Sequence, residues 1–270
     1  MLVQDLGNDY CAELLRAVEA RARTRGVVVI SASLDEEAER ERDLVNGLVE
    51  RRIDGLILMP ATDDQGYLMP EVHAGLAVVL VDRAPRGMAL DAVVADNRAG
   101  AAHAVRHLAS FGHRRIGFLG DDPSISTATE RLAGYRDALD AGGLTLDDAL
   151  VRTGVRTEDD ARAAVTQMLS LDEPPTALFT ARNVLTVGAV RALRYLDLRD
   201  RVGLVGFDDF PTADLLEPGV TCVKQAVVTE GELAIDMLLS RLDGDEGPAR
   251  VEVVPTTIVA RGSGEISPAR

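Results

Sequence analysis

Short apolar runs alternate with amphipathic stretches along the whole chain. The runs are Leu2–Gln4, Val27–Ser31, Gly55–Met59, Ala77–Val81, Ala92–Ala95, Arg115–Leu119, Thr176–Phe179, Val202–Val205 and Val251–Val254. Several are apolar throughout, as strands buried on both faces of a parallel sheet are. Between them lie helical patterns. After Asn8, a good N-cap, Cys11, Leu14, Leu15, Val18 and Ala22 fall on one face, and Gly26 ends the helix. Asp35–Arg52 is charged outside, with Leu44, Val45 and Leu48 inside. The same logic gives helices over Arg98–Phe111, Thr127–Ala141, Asp159–Leu171, Asn183–Tyr195 and Glu230–Leu242. Regular β-α-β alternation means a doubly wound α/β fold with parallel sheets. About eleven strands are too many for one open sheet of this length, so two sheets and two lobes fit better.

In such sheets ligands bind beyond the carboxyl ends of the strands. Polar groups collect there. Ala77–Val81 runs into Asp82-Arg83, and Val202–Val205 into Gly206-Phe207-Asp208-Asp209. Thr176–Phe179 runs into Thr180-Ala181-Arg182-Asn183. Arg115–Leu119 runs into Gly120-Asp121-Asp122-Pro123, then Thr127 and Arg131. Carboxylates and amides suit neighbouring hydroxyls, and a guanidinium offers a planar fork of donors. The set suits a polyhydroxylated ligand such as a sugar or nucleoside. Any one of these residues alone is more often a turn residue or a helix cap. At successive strand ends, together, they favour a binding cleft.

Charge and composition narrow the classes further. The net charge of −15 repels phosphate backbones, so the chain as it stands is not expected to bind nucleic acid. Lys224 is the only lysine, and Trp is absent. No apolar run approaches the ~18 residues of a membrane helix, and residues 1–10 lack the basic start of a secretion signal. No membrane partner is expected, and the location expected is cytoplasmic. Cys11 and Cys222 have no metal-ligand spacing, and no disulfide framework is expected. Phosphate-cradling glycine loops, HExxH and GxSxG are all missing, so neither cofactor nor catalytic nucleophile is indicated. His103 and His107 stand four residues apart on one helix, but a third metal ligand is lacking. The other histidines, His73 and His113, have no Ser or Cys partner in view.

The motifs resemble those of the lactose/galactose repressor (LacI) family. Gly112-His113-Arg114-Arg115-Ile116-Gly117-Phe118-Leu119-Gly120 is similar to its GHxxIgfigG signature. Asp5-Leu6-Gly7-Asn8, Asp96-Asn97, Arg131-Leu132-Ala133-Gly134-Tyr135, Pro175–Phe179, Gly206–Asp209 and Thr221–Gln225 follow in the family's order across essentially the whole chain. The resemblance implies a type I periplasmic-binding-protein-like fold: two Rossmann-like lobes joined by three crossovers, with a small effector between them. The N-terminal lobe would be 1–97 plus 226–247, and the C-terminal lobe 98–225 plus 248–270. Carried over residue by residue, the effector contacts would be Tyr10, Cys11, Asp82, Ile125, Thr127, Arg131, Arg156, Asn183, Asp208 and Gln225. A homodimer is implied too.

Some positions depart from the commoner family pattern. Cys11 and Arg156 stand where aromatics are usual, Ile125 where some relatives are polar, and Ala226 where proline usually follows Gln225. Arg156 with Arg131 points toward a sugar, sugar acid or sugar phosphate rather than a plain purine. Family members normally carry about sixty further residues, a helix-turn-helix and hinge helix, ahead of the strand in which Met1 falls. DNA contact is therefore expected only through a headpiece not in this chain. The function expected is effector sensing for a transcriptional regulator, with no enzymatic activity. The alternatives are a transporter's periplasmic-type sugar-binding protein, which would need an export signal, and an enzyme using the cleft, which would need a committed nucleophile or base.

Overall fold

A computed structural model describes residues 1–62 and 64–268. The chain forms two compact units. One is Met1–Ala95 with Ala226–Val254; the other is Asp96–Gln225 with the chain from Pro255 onward, so the backbone passes between them three times.

In the first unit, β1 (Leu2–Val3), β2 (Ala32–Ser33), β3 (Gly55–Leu58), β4 (Ala77–Val81), β5 (Asp91–Ala95) and β11 (Val251–Val254) make one sheet, in the order β11-β5-β4-β3-β1-β2. Every pairing in it is parallel. Successive side chains leave a strand on opposite faces. Val3, Ile57, Val79, Val81 and Val93 therefore pack on α1 (Asp9–Arg23) and α8 (Val227–Leu242), through Leu14, Val18, Ile235 and Leu238. Their neighbours Leu2, Leu56, Leu58, Val78 and Leu80 pack on Val45 of α2 (Ala38–Glu50) and on Leu68, which leads into the short α3 (Met69–His73). Burial on both faces is why these strands are apolar throughout.

The second unit repeats the plan. Its strands are β6 (Ile116–Leu119), β7 (Val151–Arg152), β8 (Ala177–Thr180), β9 (Gly203–Phe207), β10 (Thr221–Lys224) and β12 (Thr257–Val259), ordered β12-β10-β9-β8-β6-β7. Only β12 runs antiparallel, against β10. One face carries Phe118, Phe179, Phe207 and Val223 under α4 (Asn97–Ser110) and α5 (Ser126–Ala141). The other carries Leu119, Leu178 and Leu204 under α6 (Glu158–Leu169) and α7 (Asn183–Tyr195). Glycine permits each helix pair to close up. A Cβ on Gly134 would lie 2.1 Å from the Arg98 carbonyl oxygen, and one on Gly188 would lie 2.4 Å from that of Glu158.

Several expectations shift. The strand expected over Val27–Ser31 forms only at Ala32–Ser33, where it pairs with Leu2–Val3; Val28 and Ile30 upstream are 85% and 61% exposed. The helix expected from Asp35 begins at Ala38, because Asp35 and Glu36 sit at φ 57° and 59°, outside helical space. Strands β7, β10 and β12 were not expected as strands; β7 is two residues long and β12 three. The segment 248–270 does not travel together. Asp91 accepts from Arg241 and from the Arg250 amide, which delivers Val251–Val254 onto β5, and the chain crosses only after Val254. Asp96 and Asn97 fall in the second unit, where Asp96 caps α4 by accepting from the Ala99 amide at 3.1 Å. Among the described residues no helix is long and apolar enough to cross a membrane.

Candidate functional site

Each sheet has one strand that ends in an aspartate with left-handed backbone. Asp82 follows β4 at φ 68°, and Asp208 follows β9 at φ 69°. Asp and Asn tolerate this region better than other residues with a Cβ. The Asp82 amide donates to the Val93 carbonyl at 3.0 Å, and the Asp208 amide to the Val223 carbonyl at 2.9 Å. Each aspartate is thus pinned to the neighbouring strand, which fixes where its side chain starts.

In the second unit, Asp208 belongs to a buried polar network. Arg131, from the second turn of α5, is 5% exposed. Its Nε donates to Asn97 Oδ1 at 2.8 Å, and its Nη1 to the Ala181 carbonyl at 2.8 Å and to Asp208 Oδ2 at 3.2 Å. The guanidinium carbon stacks 3.8 Å from the Phe207 ring centroid. Gln225, at the end of β10, donates from Nε2 to Asp208 Oδ1 at 2.6 Å. Its Oε1 is buried with no hydrogen-bond partner, and so is Ser126 Oγ in the first turn of α5. Buried acceptors are rarely left unpaired, because desolvating one without a partner is costly. At the ends of β6 and β8, Asp121 forms an ion pair with Arg182; their side chains are 8% and 25% exposed. Thr127 and Asn183 are buried in the first turns of α5 and α7, and Ile125 precedes α5 in extended conformation. Arg156 is exposed on the loop after β7, where its positive charge helps hold the Asp122 carboxyl low, behind the larger effect of the Ser124 amide.

In the first unit, Tyr10 lies in the first turn of α1 and donates to Glu230 Oε2 of α8 at 2.8 Å. Burial pushes the Tyr10 phenol well above its ordinary value, and the carboxylates of Glu230 and Asp82 push it further. Cys11 is 4% exposed, and burial raises its thiol to about 11, which makes it a poor nucleophile. Arg83 pairs with its neighbour Asp82, Nε to Oδ2 at 3.6 Å, and is held by further contacts: Nη1 donates to the Pro60 carbonyl at 2.6 Å and Nη2 to Glu36 at 2.8 Å.

Of the ten residues expected at the site, the structure joins Arg131, Asp208 and Gln225 directly. It places Tyr10, Cys11 and Asp82 within electrostatic reach of one another. Arg156 is exposed, on the loop whose Gly154 and Val155 amides donate to the Asp121 and Gly120 carbonyls. The nearest acidic residues that follow it in sequence have other partners: Glu158 pairs with Arg191 and Asp159 with Arg162. The expected set omitted Asn97, Asp121, Arg182 and Glu230. The signal for Asp121 and Arg182 was their place in strand-end segments; for Glu230 it was a carboxylate on the apolar face of its helix. The two spaced histidines hold no metal site. His103 is exposed, His107 binds Glu265, and the described residues contain no group of three potential metal ligands.

Comparison with known proteins places this architecture. The profile of the periplasmic binding protein-like domain matches residues 105–264. The chain is 30% identical over 268 residues to the HTH-type transcriptional regulator GalR of Escherichia coli, covering 97% of this chain and 77% of GalR. It is 32% identical over 268 residues to the HTH-type transcriptional regulator PtxS of Pseudomonas aeruginosa, with the same coverage of 97% and 77%. Its fold superposes on the transcriptional regulator CelR in complex with cellobiose, with a TM-score of 0.87 at 28% identity, covering 97% of this chain and 83% of CelR. The chain belongs to the LacI/GalR family of transcriptional regulators. Within that family it is the effector-sensing domain, with the type I periplasmic-binding-protein-like fold, and it is not an enzyme.

Proposed function

We propose that this domain senses a neutral, polyhydroxylated small molecule of the sugar class. The polar groups around Arg131, Asp208 and Gln225 are its anchor in the second unit, with Thr127, Ile125 and Asn183 beside them. Tyr10, Cys11 and Asp82 are the first unit's contribution. The observation that carries this reading is Gln225 Oε1, a buried acceptor with no partner whose amide nitrogen is already committed to Asp208. A ligand hydroxyl supplies the missing donor. The cellobiose bound by CelR supports a sugar as the class. Neutrality follows from charge balance. Arg131 is matched by Asp208 and Arg182 by Asp121, while Arg156, the residue that favoured an acidic ligand, is exposed and has Asp122 near it as a counter-charge.

The test is a thermal-shift panel of D-ribose, D-galactose and cellobiose against D-gluconate, glucose 6-phosphate and adenosine. A ligand that binds only the folded state stabilises by ~2.7 kcal/mol at a hundred times its Kd. We expect a neutral sugar to raise the midpoint and Gln225→Leu to abolish the rise. Stabilisation by adenosine alone would overturn the reading.

In the intact regulator, effector binding biases DNA affinity by preferring one conformation of this domain. The regulator acts in the cytoplasm as a homodimer. The second unit offers a partly apolar surface for pairing: Leu215, 75% exposed, lines a 210 Å³ cavity with Val190, Leu193, Leu216 and Val220. Light scattering should then report twice the 28.8 kDa chain mass; a strict monomer at high micromolar concentration would refute the pairing.

A further inference from the structure

We infer that the Asp121–Arg182 ion pair is a charge-selectivity element that makes this sensor reject anionic ligands. The inference rests on the effector reading above and adds two residues to it. Arg182 is the residue after Ala181, whose carbonyl accepts from Arg131 Nη1 at 2.8 Å. The same short segment at the end of β8 therefore carries one guanidinium and is held by another. Its backbone is fixed from the helix side as well, since the Arg182 carbonyl accepts from the Thr186 hydroxyl at 3.0 Å.

Asp121 is equally fixed. Its Oδ1 accepts from the Asp122 amide at 2.7 Å, and its carbonyl accepts from the Gly154 amide at 3.1 Å. The carboxylate is thus held in place by the backbone of its own segment and of the Gly154 loop. Its other oxygen, Oδ2, takes Arg182 Nη1.

The chemistry follows from that geometry. Two guanidiniums close to one strand end would attract a carboxylate or phosphate, the groups that match their planar forks. Here each guanidinium already has a carboxylate within contact, and both carboxylates are largely shielded from water. An anion entering the site meets Asp121 and Asp208 as like charges. To take Arg182 it must also strip Asp121 of its counter-charge, which is costly for a buried carboxylate. A neutral hydroxyl meets neither penalty. The pair admits sugars and turns away their acids and phosphates, so specificity is set by repulsion as well as by attraction.

The test removes the counter-charge without using the effector. Inorganic phosphate is the probe, titrated by calorimetry into wild type, Asp121→Asn, and Asp121→Asn/Arg182→Gln, at constant ionic strength and pH 7.5. We expect no saturable binding to wild type, saturable binding to Asp121→Asn at least roughly tenfold tighter than any wild-type signal, and loss of that binding in the double variant. Asp121→Ser is the second neutralised variant, used if the amide does not fold. Equal phosphate binding by wild type and a neutralised variant overturns the proposal. So does the unfolding of both neutralised variants, whether Arg182→Gln unfolds with them, which would make the pair a structural clamp, or stays folded, which would make Asp121 itself a structural residue. If no neutral sugar binds wild type, the effector reading fails, while the phosphate titration still decides whether Asp121 screens anions.

Discussion

Asp208→Asn isolates the electrostatic part of the Arg131 network, because Asn has the same shape and the same tolerance for the left-handed backbone at φ 69°. The substitution leaves a guanidinium that is only 5% exposed without its carboxylate. Removing one partner of a buried ion pair costs ~3–5 kcal/mol. Arg131 keeps the Asn97 oxygen, the Ala181 carbonyl and the Phe207 ring, and its contact with Asp208 is a long one at 3.2 Å. We therefore expect a loss of about 2–3 kcal/mol, at or just below the lower limit of that range. Urea unfolding read by two probes measures it, since the two units need not unfold together. The cycle is completed with Arg131→Met and the double variant. With both charges gone, no charge is buried unpaired, so the double variant should be more stable than the sum of the single losses predicts, by at least ~1 kcal/mol. A stability of Asp208→Asn within ~0.5 kcal/mol of wild type, the range of ordinary surface changes, would show that solvent screens the pair and that the network is not a buried one.

The remaining predictions concern pH, packing and DNA. Burial alone would raise the Asp209 and Asp91 carboxyls, but bidentate Arg261 and Arg241 outweigh it and hold both low. Their stabilisation is present above the ordinary carboxylate range near 4 and is lost as pH falls through their lower folded values; melting scans should show Asp209→Asn flattening that acid limb. Burial lowers the His113 pKa, partly opposed by its bond to the Ile266 carbonyl. Stability from neutral His113 is therefore full above its ordinary value near 6.5 and declines as pH falls below it, a slope that His113→Asn should reduce between about pH 5 and 7. Gly188→Ala should cost ~1–3 kcal/mol by forcing α6 and α7 apart, read as a lower urea midpoint; an unchanged midpoint would mean the pair has slack. Finally, the purified chain should give no salt-sensitive mobility shift with duplex DNA at low salt, given its net charge of −15.

Strand existence was largely legible because both faces of these sheets are covered. Leu56-Ile57-Leu58 reads as a continuous apolar run for that reason. Strand ends were less legible where pairing, not composition, decides. Val27–Ser31 has a strand's composition but only Ala32–Ser33 reaches β1, and Val151–Arg152 is a strand only because Phe118 and Leu119 lie beside it. At the site, the sequence showed which polar residues stand at strand ends but not which of them neutralise one another. Arg131 and Arg156 looked alike as arginines. Burial separates them, and with it the charge offered to a ligand. Glu230 and Tyr10 lie 220 positions apart, so no local pattern could join them.

The three passages of the backbone between units have a consequence for how the protein is made. The first unit cannot be completed when Met1–Ala95 leave the ribosome, because α8 and β11 come from Ala226–Val254. Until then the faces of Ile57, Val79 and Val81 that α8 covers have no lid, and the free edge of β5 has no neighbour. The 130 intervening residues, 96–225, take on the order of 10 s to synthesise. During that interval the second unit has most of its strands and a start on folding, while the first is a sheet with one oily side open to solvent. Nascent-chain quality control therefore meets this domain as an incomplete first unit, and a ribosome stalled anywhere before Ala226 leaves a sticky fragment rather than a smaller working sensor.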